Sequence, residues 1–312
     1  MTSSPMRLSF LIVLVVMNGF WAGTYSAFKA LAPHLDAGQV ATLRYGLAAL
    51  LLLPCWPWLR GAAPRGADLG RAVAMGILVF VLAPRLQVAG VQLGRAGDAS
   101  VLMALEPLVT SVAAALFLHE HIGPRRWLGF ALGMAGVVVM ARVWQPEFQL
   151  PGLTANLLFV ASFFCEAAYS VLGKPMLTRV GLVKLLLVAL LAALVVNGLT
   201  DGPAAWNAAQ RLPLRAWAIL AYLVVICTLV GYVVWFVVIR ETEVNVTVLT
   251  VFLQPVVGVC IAAFVLGERL HLGQLWGSLV IVLGLAIGLS RQIKPSRPRQ
   301  PRPAAGQQLA GK

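Results

Sequence analysis

Acidic residues are scarce in this chain: 11 Asp and Glu among 312 residues, against 24 Lys and Arg. Charged residues together make up 11% of it, under half the roughly 25% of an ordinary soluble domain. That is too little charge to cover the surface of a water-soluble fold. Cysteine is equally sparse. Cys55, Cys165, Cys227 and Cys260 each stand alone in an apolar stretch, which excludes a CxxC pair and metal-ligand spacing. The four histidines, His34, His119, His121 and His271, fall between apolar runs, so a membrane-embedded enzyme would lack a base at depth. "HEH" at 119–121 lacks the HExxH spacing that puts two imidazoles on one helical face, and no GxGxxG follows a strand. No metal or cofactor is expected, and no enzyme activity.

Apolar side chains are what the sequence has in excess. They make up 60% of it, at a mean hydropathy of +0.87, the signature of an integral membrane protein. A net charge of +13 would suggest nucleic acid in a soluble protein. Here the basic residues gather at the ends of apolar runs and in the last twenty residues, so they read as orientation signals and no nucleic acid is expected.

A membrane span needs about 20 apolar residues, and ten such runs can be cut: 8–31, 37–59, 72–93, 97–118, 125–143, 153–173, 182–199, 215–239, 245–266 and 272–290. The seventh is the shortest. The first could imitate a signal peptide, with small residues in "YSAFKA", but it exceeds a usual h-region and nine runs follow. The expected fold class is an all-α membrane protein of ten transmembrane helices. With a cytoplasmic N-terminus, 16 basic residues fall inside and six outside. This bias places both termini in the cytoplasm of a multi-pass plasma (inner) membrane protein. The tail, residues 291–312, is basic and proline-rich, hence expected to be disordered and weakly drawn to anionic lipid.

Internal repetition is the strongest signal. A shift of 148 residues lays "LEPLVTSVAAALFLHE" on "LQPVVGVCIAAFVLGE". Pro107 then meets Pro255, Glu120 meets Glu268, Gly129 meets Gly277 and Gly136 meets Gly284. Runs four and five thus return as nine and ten, and the unit is five helices long: residues 1–147 and 148–290. An odd unit duplicated in tandem inserts its second copy upside down, which is the inverted-topology repeat of secondary transporters.

Pro107 and Pro255 interrupt equivalent helices, and paired breaks point to a binding site at mid-membrane. Each proline should free the carbonyl four residues earlier, Met103 or Val251. The polar neighbours are Glu106 and Gln254. The competing reading is a kink that only aids packing. Arg44, Arg85 and Glu166 also lie inside apolar runs. Unpaired charges there cost roughly 2.5–3.5 kcal/mol each, so they should face the interior and some should pair, unless the arginines snorkel to an interface. The candidate substrate-binding residues are Arg44, Arg85, Glu106, Gln254, Asn18, Trp21, Tyr25 and Tyr169. Glu106 and Glu166 are the candidate proton-coupling acids, Glu106 preferred because Pro107 breaks its helix at the same spot. Gly129, Gly133 and Gly136, with Gly277, Gly284 and Gly288, have the spacing of close helix contacts. Glu120 and Glu268, at span ends, are expected to cap or pair in loops.

These residues carry a resemblance. The segments "LEPLVTSVAAALFLHEHIGPRRWLGFALGMAGVVV" and "LQPVVGVCIAAFVLGERLHLGQLWGSLVIVLGLAIG" resemble the end of the five-helix repeat in EamA-type transporters of the drug/metabolite transporter superfamily. "ATLRYGLAALLLLP" and "NGFWAGTYSAFKA" resemble that family's arginine-bearing second helix and its first. The likeness covers residues 8–290. The turn is intact as "LGERL" in the second copy but reads "LHEHI" in the first. The resemblance implies alternating-access export of a small metabolite such as an amino acid or related organic ion. Protons are the expected coupling ion for a separate reason: an acid such as Glu106, between burial and a nearby arginine, can exchange them. A homodimer is compatible with the resemblance. The alternatives are a multidrug or nucleoside-type exporter of the same superfamily, or a non-transporting scaffold or channel.

Overall fold

The computed structural model describes residues 6–93, 104–145, 152–266, 272–290 and 293–294. The described chain is helical almost throughout, as an apolar chain in lipid must be, since a helix satisfies every backbone polar group internally. Six helical stretches are long and apolar enough to cross a membrane: Ala37–Trp58, Ala67–Gln87, Asn156–Met176, Leu182–Ala209, Leu214–Glu241 and Leu272–Leu289. Leu8–Thr24, Glu106–Leu118 and Val244–Cys260 are shorter apolar stretches.

Helix α1 (Leu8–Leu31) leads to α2 (Ala37–Leu52). Asp36 opens α2 with a capping box: Gln39 N–H donates to Asp36 Oδ1 at 2.8 Å, and Asp36 N–H to Gln39 Oε1 at 3.1 Å. A long rod follows, α3 (Ala67–Ile77), a π-helical stretch Leu78–Leu82, then α4 (Ala83–Leu93). The wide turn has a local cause. Pro84 has no N–H for the Phe80 carbonyl, and Asn197 Nδ2 supplies a donor to that carbonyl at 3.1 Å.

Helices α5 (Glu106–Leu118) and α6 (Pro124–Ala141) complete the first half. The second half runs through α7 (Leu153–Met176) and α8 (Leu182–Ala209). A second rod is built from α9 (Leu214–Ala221), a π-helical stretch Tyr222–Val230 and α10 (Gly231–Glu241). The short α11 (Val244–Thr247) passes through a 3-10 stretch, Val248–Phe252, into α12 (Leu253–Leu266), and α13 (Leu272–Leu289) closes the bundle. Met6–Arg7 pairs in parallel with Ile293–Lys294, which ties the first and last described segments together. The remainder of the basic tail lies outside the described residues.

Helices α6 and α13 approach closely enough that glycine is required on both sides. A Cβ on Gly136 would stand 2.7 Å from the Gly277 carbonyl oxygen, and one on Gly277 would stand 2.5 Å from that of Gly136. Gly129 and Gly284 exclude side chains in the same mutual way, each 3.0 Å from the other's carbonyl. Phe80, Phe163, Phe236 and Phe252 fill the core. Large apolar side chains such as Ile12, Leu116, Phe117, Leu199 and Trp276 point outward, more than half exposed, as a surface meant for lipid does.

Two expectations need correction. The seventh run was expected to end at 199, but α8 continues to Ala209 through Pro203. Asp201 is therefore part of a helix, and its ion pair with Arg85 holds the turn before the proline. The Val251 carbonyl is not freed by Pro255. It accepts from the Leu253 N–H within the 3-10 stretch. Pro107 and Pro255 instead stand in the first turns of α5 and α12, where a missing N–H costs least. Met103 lies outside the described residues.

Candidate functional site

Arg44 sits midway along α2 on the buried face shared by Tyr45 and Ala48. It is 6% exposed. Its Nε donates to Thr228 Oγ1 at 2.8 Å, and its guanidinium carbon lies 5.0 Å from the Tyr45 ring centre and 5.9 Å from that of Phe28, both within cation–π range. Among the described residues no carboxylate lies within ion-pair distance of it. Thr228 holds this geometry because its hydroxyl also donates to the Leu223 carbonyl at 2.9 Å, a backbone group loosened by the π-helical turn.

One carboxylate lies near Arg44, and a second lies near the first. Glu166 of α7 accepts from Gln87 Nε2 of α4 at 2.8 Å and lies within electrostatic reach of Arg44. Glu106, in the first turn of α5, is close enough to Glu166 for the two to repel. Both are half-buried. Tyr232 stands among these groups, within electrostatic reach of Arg44, Glu166 and Glu106 alike. Aromatic rings pack around these groups: Tyr232 lies 4.7 Å from Tyr169, 5.0 Å from Phe80 and 6.3 Å from Trp21, and Trp21 lies 5.8 Å from Trp235.

The remaining candidates separate. Asn18 donates to Thr250 Oγ1 at 3.0 Å and accepts from Gln254 Nε2 at 3.1 Å, joining α1 to the break before α12. Trp21 Nε1 donates to the Cys227 carbonyl at 2.9 Å, and Tyr169 OH to the Tyr232 carbonyl at 2.9 Å. The side chain of Tyr25 lies outside the described residues. Arg85 is already engaged, with Nη2 reaching Asn197 Oδ1 at 2.9 Å and Thr200 Oγ1 and Asp201 Oδ2 at 2.5 Å each. Pro255 lines a cleft of about 280 Å³ with Gly258, Val259, Val137 and Met140, and no charged candidate borders it.

Sequence reasoning passed over Gln87, Asn197, Thr228 and Tyr232. A signal existed for Thr228, a lone hydroxyl in the apolar run "LVVICTLV", and for Gln87, two residues after Arg85. Their partners lie between 79 and 184 residues away in the chain, beyond the reach of spacing rules. The expectation for Glu120 was met. Its Oε1 accepts from Lys174 Nζ at 2.7 Å and from Val244 N–H at 2.9 Å, and its Oε2 from Asn245 N–H at 3.0 Å and Nδ2 at 2.8 Å. It caps α11 and pairs across the halves.

A helical bundle with polar groups gathered at its seam is the build of a membrane transporter, and the comparisons agree. The EamA-like transporter family model matches residues 8–142 and again 153–289, so the chain belongs to that family and carries two of its domains. An uncharacterized transporter of Archaeoglobus fulgidus is 24% identical over 90% of this chain and 97% of its own length. A probable amino-acid metabolite efflux pump of Salmonella typhimurium is 25% identical over 90% and 94%. A probable terminal-alkyne amino-acid exporter of Streptantibioticus cattleyicolor is 28% identical over 82% and 84%. One solved crystal structure superposes with a TM-score of 0.74 at 14% identity, covering 92% of this chain and 98% of that one; it speaks for the fold. The family and these relatives are transporters, not enzymes, and the protein is an integral membrane protein.

Proposed function

We propose that the protein is a secondary active transporter that exports small metabolites, such as amino acids or related organic ions, by alternating access between two inverted five-helix halves, residues 1–147 and 148–290. The observation that carries this reading is Arg44, a buried cation without an ion-pair partner among the described residues, within electrostatic reach of Glu166 at the seam of the halves. A buried charge left alone is costly, and such a residue in a membrane protein is most simply kept for a ligand. Several relatives named as amino-acid efflux pumps support the substrate class.

The inverted repeat has geometric support. Gly129 and Gly136 correspond to Gly277 and Gly284 by the 148-residue shift, and the contacts run crosswise, Gly129 to Gly284 and Gly136 to Gly277. Reciprocal contact of this kind is what a two-fold axis between equivalent antiparallel helices produces. The same shift carries the π-helical stretch 78–82 onto 226–230, inside the second one. It also supports a count of ten spans. The pairing of Met6–Arg7 with Ile293–Lys294 fits termini on one side, and the basic-residue bias makes that side cytoplasmic.

Protons are the proposed coupling ion and Glu106 their carrier, since no fixed donor occupies its carboxylate among the described residues, whereas Gln87 occupies that of Glu166. The test is flux into proteoliposomes with a panel of labelled amino acids. Glu106→Gln should abolish transport driven by a pH gradient while substrate exchange without a gradient survives. Full pH-driven transport by that variant would remove Glu106 from the mechanism, and absence of flux for every compound by the wild type would sink the transporter reading.

A further inference from the structure

Four span ends meet at one corner of the bundle, and the loops between them carry a surplus of positive charge. Helix α2 runs on into a 3-10 stretch, Leu53–Trp58, whose Trp58 side chain is 78% exposed. The loop to α3 follows, and against it lies the turn from α7 to α8. Residues 53–71 and 177–184 hold five basic residues, Arg60, Arg65, Arg71, Arg179 and Lys184, against one acid, Asp68. That acid is spent. Arg179 donates to it from Nε at 3.2 Å and Nη2 at 2.9 Å, and Arg71 from Nη1 at 3.4 Å. Arg60 and Arg65 are exposed, and among the described residues neither forms an ion pair or a side-chain hydrogen bond.

The two loops are locked together by backbone. A Cβ on Gly61, which stands at φ +88°, would meet the Gly181 Cα at 2.6 Å, and the Gly181 N–H donates to the Ala62 carbonyl at 2.9 Å. Lys184 is folded back onto this junction. Its Nζ donates to the Gly61 carbonyl at 2.9 Å and lies 5.3 Å from the Trp56 ring centre. A basic residue that only orients the chain needs no such placement, and one that snorkels extends into water. Here an ammonium with two donors left is held over a tryptophan at a span end, close in the chain to the free Arg60. Tryptophan at span ends sits at headgroup depth. Trp58 and Leu53 continue the exposed apolar surface of Leu50 and Leu51, which favours a lipid over a soluble polyanion. We propose that this corner binds one anionic phospholipid, its phosphate on Lys184 and Arg60 and its glycerol and upper acyl chains along Trp58 and Leu53. Both contacts to the phosphate are charge-assisted hydrogen bonds, and Arg65 adds to the local positive field. Arg60 belongs to the first family domain and Lys184 to the second, so the bound lipid bridges the two. Such a site is independent of what the chain transports.

The test is lipid titration of the purified full chain in detergent, read by native mass spectrometry, with phosphatidylglycerol and phosphatidylcholine of identical acyl chains. Wild type should hold one phosphatidylglycerol at least about tenfold more tightly than phosphatidylcholine, as two cations at about fivefold each allow. Arg60→Gln and Lys184→Gln should each weaken phosphatidylglycerol about fivefold and leave phosphatidylcholine unchanged. Arg60 has no partner in the protein, so its variant should melt with the wild type, and it decides the matter even if Lys184→Gln loosens the loops. Trp58→Ala should weaken both lipids alike. Arg215→Gln removes another exposed cation, at the start of α9 and the far end of α8 from Lys184, and should change neither affinity. Equal affinity for the two lipids would overturn the site, and so would a loss in Arg215→Gln matching that in Arg60→Gln, which would reduce the effect to net charge. Displacement of the lipid by equimolar inorganic phosphate would overturn the lipid assignment in favour of a soluble anion.

Discussion

At the end of the bundle where α5 and α7 finish, Glu120 gathers four donors from two other segments while its side chain is only 7% exposed. Arg126 beside it pairs with Glu243 and donates to Asn245 Oδ1 at 2.5 Å and to the His121 carbonyl at 2.8 Å. Asp68, near the start of the α3–α4 rod, pairs with Arg179 just after α7, so the rod begins at this same end. Arg85 lies 17 residues further along it, about 25 Å at helical rise. There the Arg85–Asp201 pair closes the opposite end, but its side chains are 32% and 31% exposed. The same kind of ion pair thus does different work at the two ends. A buried and fully hydrogen-bonded charge is costly to break because each partner is left stranded. A pair a third exposed, as Arg85–Asp201 is, is partly screened by water and salt and adds less. In the alternating cycle proposed above both ends would open in turn, and on that proposal the Glu120 end is the one closed at rest.

The largest expected effect breaks the strong end. Glu120→Ala takes the acid from the Lys174 ammonium, which keeps the Thr242 carbonyl, and strands the two N–H groups that start α11; it should cost about 3 kcal/mol, read as a lower unfolding midpoint of the purified protein. An unchanged midpoint would equate the two ends. Asp201→Asn, at the weak end, should cost about 1 kcal/mol or less, and its effect should vanish in high salt. A loss as large as that of Glu120→Ala would reverse the comparison. The smallest effect concerns how α5 delivers Glu120. His119 adopts a left-handed backbone at φ 55°, at the position that the 148-residue shift lays on Gly267. Relieving that strain with His119→Gly should stabilise by up to about 1 kcal/mol, measured in the same unfolding experiment. Destabilisation would mean that the imidazole itself has a partner worth more than the strain.

Glycine stripes and apolar runs were legible because they obey local periodicities, and the structure uses the α6 and α13 glycines where their spacing suggested. Glu120 was legible as a span-end residue because its repeat partner marked it. The engagement of Arg85 was not, because its acid, Asp201, sits beside Gly202 and Pro203, which read as loop punctuation until the ion pair is seen to hold that turn helical. The helix breaks were misplaced by a few residues for a similar reason. A proline is visible in the sequence, but the irregular backbone precedes it, in the 3-10 stretch Val248–Phe252 before Pro255 and the π-helical stretch Leu78–Leu82 before Pro84, where Asn197 repairs the freed carbonyl.

By itself the sequence determined that this chain lies in a membrane, that it is helical, that its halves repeat and which family it belongs to. All of these follow from hydropathy, period and register, which are properties of neighbours along the chain. Only the tertiary structure decided which charges are spent and which are free. Arg44 and Arg85 look alike in sequence, each a lone arginine in an apolar run. One pairs with an aspartate 116 residues away, and the other, with no ion pair among the described residues, donates to a threonine 184 residues away. Whether a buried charge finds its partner depends on which helices the fold sets side by side, because Coulomb attraction between side chains acts through space and not along the chain.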